Sequence, residues 1–377
     1  ALGKLLAPRK GAPLHCGEGR RLDCSAEWLA AADALAAQRA AYGALGERCE
    51  RLVDGPQTFE ELLPPGQGMD APLMPWAGML ECSRWFRSGA MVALARGRRD
   101  EALVHLRRAD RHHRMLFDGA RSLVGAMVAT RLARLAYDTM TVAALRDPAL
   151  AEPMAAWVAG PLDTRVAARR WVMFEAAYQQ GFVDELAAQP ATVAMAMPDA
   201  GTVLPTGGPV AMALGALGSR GIGFQRERTR QRLDQVWQRQ LATLQYPWPA
   251  VLAGAAVEHR AQQQRSAWSQ LAWRNTFGEA VVVAMGEPQL GPYFARHADH
   301  ELHREAAALV LALQRQRVPA AQRADAARRL PGLGDTLKER MKWSPDGLTL
   351  TVDTWQGQTP GAVVDPRRDG MVFVWPS

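Results

Sequence analysis

From Trp76 to Leu145 apolar side chains recur at helical spacing, and this run decides the class of fold open to the chain. Residues three and four apart share one face of an α-helix, so Leu80, Trp85, Met91, Leu94 and Ala95 form a single apolar stripe. Gly97-Arg98-Arg99-Asp100 supplies a turn, and Ala102, Leu103, Leu106, Ala109 and Leu116 continue the pattern through a second helix over Glu101–Phe117. A third helix is expected over Ser122–Leu145. Antiparallel helical hairpins are the natural product of such a pattern.

The same periodicity extends outward. Ser25 is the expected N-cap of a helix reaching Arg51, with Trp28, Leu29, Leu35, Tyr42 and Leu45 on its buried side, and Asp54-Gly55-Pro56 stops it. A short helix is expected over Thr58–Leu63, and longer ones over Pro148–Val158, Thr164–Leu186, Gln225–Leu244, Val257–Trp273, Gly291–Gln316 and Ala320–Arg329. Near the end the period changes to two. Leu348–Val352 and Met371–Trp375 alternate as strands do, which predicts a small hairpin. The expected fold is therefore mainly α, an irregular multi-helix bundle of antiparallel hairpins with a small C-terminal β hairpin. Its divisions are an extended lead-in over 1–24, a helical part over 25–186, a Gly/Pro-rich segment over 187–224, a second helical part over 225–330, and a β tail over 331–377. The 187–224 segment is the compositional anomaly, since Ala187–Ser219 carries Asp199 as its only charge. So long a connection is uncommon in a compact domain and often serves as a lid or binding segment.

Net charge is +7, and arginine supplies nearly all the basic side chains, with four lysines in all. A basic chain invites nucleic acid, but acidic residues are interleaved almost throughout, which argues against that partner. The local excess lies at 220–239, where Arg226, Arg228, Arg230, Arg232 and Arg239 occupy one side of the 225–244 helix. Anionic lipid is the candidate partner there. No run of about 18 apolar residues is present that could span a bilayer. The chain opens at Ala1 without an initiator Met or a signal-type segment, as expected of a mature or truncated chain whose signal or anchor has been removed.

Four cysteines, Cys16, Cys24, Cys49 and Cys82, lie in the first 82 residues, and none forms a CxxC or a zinc-finger spacing. Two disulfides, and with them an oxidising compartment such as the periplasm, are expected. Cys16–Cys24 with Cys49–Cys82 is the preferred pairing of three, because the first closes a short loop and the second joins two helices.

Four features together resemble a family of uncharacterised, mostly helical bacterial envelope proteins that often begin with an anchor. They are the lead-in Cys16…Cys24 followed by a helix and Arg48-Cys49-Glu50-Arg51-Leu52; the hairpin around Gly97 with its long third helix; Asn275-Thr276-Phe277-Gly278 ahead of Val281-Val282-Val283, Tyr293 and a long helix; and the Leu330-Pro331-Gly332-Leu333 turn before the β element. The Ala90–Ala109 hairpin also resembles a single tetratricopeptide-like unit. The first resemblance implies an envelope location and brings no activity with it. Cys49 stands where that family has an aromatic residue, which suggests an added bridge to Cys82.

Sequence offers few candidates for chemistry. His297, His300 and His303 fall three apart on one helix beside Asp299 and Glu301, a spacing at which imidazoles bind zinc or iron when further ligands converge. Arg296 and Arg304 on the same helix point instead to a solvated polar face, and His112-His113 with Asp110 reads as a surface cluster. No nucleophile elbow and no phosphate loop is present. Trp237, Trp248, Trp268 and Trp273, with Arg226 and Arg230, are candidates for binding a partner; as core residues the tryptophans would need no function. The leading expectation is a non-catalytic subunit or assembly factor that binds another envelope protein, with no cofactor. The alternative is a metal-dependent envelope enzyme using the 297/300/303 cluster.

Overall fold

The computed structural model describes residues 24–55, 59–62, 74–160, 162–188, 224–255, 275, 278, 281–282, 290–356 and 370–375. The predicted helices at 58–63 (in part) and 257–273, residues 189–223 of the Gly/Pro-rich segment, and Trp268 and Trp273 lie outside them. The architecture is mainly α with a small antiparallel sheet at the C-terminal end, as the periodicities predict. None of the described helices is long and apolar enough to cross a membrane.

The first predicted helix is three pieces, α1 (Ser25–Ala30), α2 (Ala32–Ala41) and α3 (Gly43–Asp54). Cys24 rather than Ser25 holds the N-cap position. The Ser25 hydroxyl is buried and donates to Thr139 Oγ1 at 3.2 Å, so it is spent on a tertiary contact. α4 (Trp76–Ala95) and α5 (Arg99–Gly119) form the antiparallel hairpin, turning at Gly97 with φ +69°, a backbone conformation that glycine adopts without a Cβ penalty. The Cys49–Cys82 bridge pins α3 to α4. Cys24 is also disulfide-bonded, and its expected partner, Cys16, lies outside the described residues.

α6 (Leu123–Arg146) runs through the centre and packs against α4, α5 and α10. Its buried surface is rich in small residues, including Ala126, Ala129, Ala133, Ala136, Ala143 and Ala144, which let neighbouring helices approach closely. Its start is set by side chains. Ser122 caps it by accepting the Gly125 N–H at 3.0 Å. Residues 59–62 are irregular, not helical, and deliver Glu61 to the same end. The buried Glu61 carboxylate accepts the N–H groups of Arg121 and Ser122 at 2.8 Å each and the Ser122 hydroxyl at 2.6 Å. A carboxylate against a helix N-terminus meets both the free N–H groups and the positive end of the helix dipole.

A short 3-10 turn and α7 (Ala151–Val158) lead to α8 (Thr164–Ala188), which pairs with α9 (Arg226–Thr243). α10 (Gly291–Arg315) lies against α6, α7 and α8, and supplies Ala307 and Leu311 to a core that also contains Trp28, Met91 and Tyr137. After α11 (Arg323–Arg329) and α12 (Asp335–Arg340) come β1 (Met341–Trp343), β2 (Thr349–Asp353) and β3 (Gly370–Val374). The expected two strands are three, in the order β1-β2-β3, with Trp343 opposite Leu350 and Leu350 opposite Phe373. Leu350, Val352, Met371 and Phe373 face inward on Leu302, Leu309, Val310 and Leu313 of α10, while Val372 and Val374 face outward, as a period of two requires. Asp299 fastens α10 to the end of β2, accepting the N–H groups of Trp355 at 2.6 Å and Gln356 at 3.2 Å.

Candidate functional site

The densest set of polar side chains in the described core is a group of histidines on α5 and α10, of which His113, His297, His300 and His303 lie between α5, α6 and α10 while His105 and His112 face α4. His105, His112, His113, His297, His300 and His303 are all buried, each less than a tenth exposed. This overturns the expected surface placement of His112-His113 and the expected solvated face around His297–His303. The arginines explain the difference. Arg296 lies over the Tyr293 ring at 5.4 Å and Arg304 reaches the Gly160 carbonyl at 3.2 Å, so the long cationic arms leave the interface while the shorter imidazoles turn into it.

Each imidazole of α10 has its own surroundings. His297 lies beside Trp171 and Trp248 with its ring nearly parallel to both, ring centres 6.1 and 6.2 Å away. Its Nε2 accepts the Trp171 Nε1–H at 2.9 Å, which places the proton of the neutral ring on Nδ1. Trp248 is held in turn by Thr164 Oγ1 at 2.9 Å and Glu301 Oε2 at 3.0 Å. His300 meets the edge of Phe117 at 4.8 Å and Tyr137 at 5.9 Å. Neither of its nitrogens, nor the Tyr137 hydroxyl, has a hydrogen-bond partner among the described residues. His303 stacks on Tyr137 at 6.1 Å, and its Nε2 is 2.7 Å from Asp138 Oδ1. On α5, His113 lies 3.3 Å from Asp110 Oδ1 and makes an edge contact with Tyr137 at 5.1 Å, while His112 packs against Phe86 at 5.8 Å. Tyr137 of α6 is therefore ringed by His113, His300 and His303.

Burial sets the electrostatics of the layer. It pushes His105, His112 and His297 down to about 3, helped at His105 by the charge of Arg39, and it carries His300 well below its ordinary range, helped by the neighbouring His113, His297 and His303. Burial also works to raise the Asp110 carboxyl, but His113 and Arg114 outweigh it and hold that group below its ordinary value. His303, Arg134 and Arg87 do the same for Asp138. Burial raises Tyr137 as well, so its hydroxyl stays protonated.

The expected metal ligands are thus three neighbours in sequence that diverge in space: one lies beside two tryptophans, one enters an aromatic pocket, one a carboxylate pair. Among the described residues no three His, Cys, Asp or Glu side chains are arranged as a metal's ligand set. The expected partner-binding residues are also engaged. Trp237 is buried and donates to Gln179 Oε1 at 2.9 Å, and Trp248 is buried as above. Arg226 and Arg230 both pair with Asp184 of α8, at 2.8 and 2.7 Å.

The described surface adds a feature that sequence reasoning missed. Along the outer side of α8, Val166 is 51% exposed and Met173 is 55% exposed, with Arg169 and Ala177 exposed in the same row. Half-buried Phe174 and Tyr178 stack beside them at 6.3 Å. The spacing of Val166, Arg169, Met173 and Ala177 was legible, but which side of so apolar a helix faces water was not.

No family model, curated protein or solved structure matches the chain.

Proposed function

We propose that this chain is a non-catalytic, protein-binding subunit or assembly factor of a bacterial envelope complex. The observation that carries the reading is the outer row of α8. It combines exposed Val166 and Met173 with Arg169 and a flanking aromatic stack, and methionine, aromatic residues and arginine are the types enriched where proteins meet. The histidine layer adds indirect support. Its imidazoles are taken up by rings and carboxylates of the chain's own core, as in a scaffold. The Cys49–Cys82 disulfide favours an oxidising compartment, for which the periplasm is our choice.

The test is recovery of a partner from the native envelope fraction with wild-type chain and with a Val166→Glu/Met173→Glu double variant. Both positions are exposed, so folding stability should change by no more than about 0.5 kcal/mol per site. Wild-type chain should retain a near-stoichiometric partner, and the variant should lose it by about tenfold or more. A wild-type chain that stays alone after crosslinking, or a variant that retains the partner in full, would contradict the proposal.

A further inference from the structure

The histidine layer has a consequence that does not depend on the binding role. It lies where α10, which carries the sheet, meets α6 and the end of α5. α10 packs on α6, α7 and α8, and its His297 and His300 also meet Phe117 of α5, with His297, His300 and His303 one helical turn apart. On another side it carries the sheet through an apolar contact made by Leu302, Leu309, Val310 and Leu313 with Leu350, Val352 and Phe373. The framework opposite is braced by the short α4–α5 turn and by the Cys49–Cys82 bridge between α3 and α4.

The charges around the layer are unequal. Four cationic side chains approach it from three elements, Arg87 of α4, Arg114 of α5, and Arg131 and Arg134 of α6, and Arg304 adds a fifth from α10. Against them, Asp110 is already shared by His113 and Arg114, and Asp138 lies on His303. Asp299 is turned toward the backbone of Trp355 and Gln356, and Glu301 toward Thr164 and Trp248. Arg170 of α8 donates to the Phe117 carbonyl. Among the described residues His300 is left at the centre, buried, with no carboxylate hydrogen-bonded to it and with His113, His297, His303 and Arg304 as its charged or chargeable neighbours. A proton placed there would be both desolvated and repelled.

We propose that this layer is an acid-sensitive latch: proton uptake at His300 and His297 releases α10, together with the C-terminal sheet, from α5 and α6. The sign follows from linkage. His297 titrates near 3 in the closed form and near the ordinary 6.5 once released, so the open form binds more protons at any pH between them. Closure is complete above about 6.5 and weakens as pH falls. Asp110 and Asp138, held low in the closed form, add to the loss at the acid end, whereas Asp299 and Glu305, raised by burial, oppose it. Histidine clusters that charge inside an interface are a general means of switching it.

Hydrogen exchange on the full oxidised chain between pH 7.5 and 4.5, corrected for the intrinsic pH dependence of exchange, tests the latch. The amides of α10 and the sheet should lose protection reversibly on acidification while those of α4 and α5 keep theirs. In His300→Phe, and equally in His300→Gln, one proton fewer drives opening, so the rise in the opening constant should be smaller by about tenfold for each pH unit crossed. Fluorescence of Trp171 and Trp248, which lie beside His297, should report the same transition. The proposal is overturned if wild-type α10 stays protected at pH 4.5, if all the helices lose protection together, or if a folded position-300 variant titrates as wild type does.

Discussion

Individual side chains carry large consequences here because they sit where no water replaces a lost partner. Glu61 is the clearest case. It enters from an irregular stretch and serves two backbone N–H groups and one hydroxyl at the start of α6. Glu61→Ala leaves those donors buried and should lower the unfolding free energy by about 3 kcal/mol, measured by denaturant unfolding at neutral pH. Glu61→Gln, which keeps one acceptor oxygen, should cost less. Gly46 is a steric counterpart: a Cβ there would run into the Trp85 ring beside the disulfide. Gly46→Ala should cost about 2 kcal/mol in the same assay through overpacking. Neither role was legible beforehand. A glutamate in a Pro-flanked stretch and a glycine within a helix reveal nothing of what faces them. The histidines were visible as a pattern at 297, 300 and 303, yet the sequence put the wrong medium around them, because Arg296 and Arg304 look the same whether they cover an interface or stand in water.

At the level of elements, periodicity proved sufficient for most helices. Those expected at 225–244 and 291–316 occur as Arg226–Thr243 and Gly291–Arg315. The departures have local causes. The first helix is divided at Ala31 and Tyr42, and the expected 58–63 helix is replaced over 59–62 by irregular chain whose Glu61 N–H donates to the Gly119 carbonyl. The unforeseen strand β1, Met341–Trp343, is too short to display a period and became a strand by pairing with β2. The Cys49–Cys82 bridge, preferred from sequence because it would join two helices, does join α3 to α4 across a separation of 33 residues. A Cys49→Ala/Cys82→Ala variant should lose about 3 kcal/mol of stability by relaxing the constraint on the unfolded chain. Denaturant unfolding of wild type with and without reductant should show a loss in the same direction.

For the molecule as a whole, the decisive arrangement is a central α6 rich in alanine, flanked by helices that turn imidazoles toward it. This makes stability depend on pH in a defined direction. His105 and His112, held near 3 by burial in the folded chain, regain their ordinary value of 6.5 on unfolding. Unfolding therefore takes up protons below about 6.5, and each such group steepens the loss by up to about tenfold per pH unit. Potentiometric titration of folded and denatured chain should show this uptake directly. An uptake no larger than that of the carboxylates alone would contradict the assignment.

The sequence by itself determined the helical class, the change to strands near the C-terminus and most helix limits, and it favoured the disulfide between Cys49 and Cys82 among three pairings. Those follow from spacing along the chain: 3.6 residues per turn, two per strand repeat, and thiols brought together by neighbouring helices. Tertiary structure alone decided which face of each helix lost its water. His300 and Arg304 lie one turn apart on α10, and one is enclosed beside Tyr137 while the other reaches the Gly160 carbonyl. Burial is set by the surfaces that neighbouring elements bring to a residue, and a single helix does not contain that information.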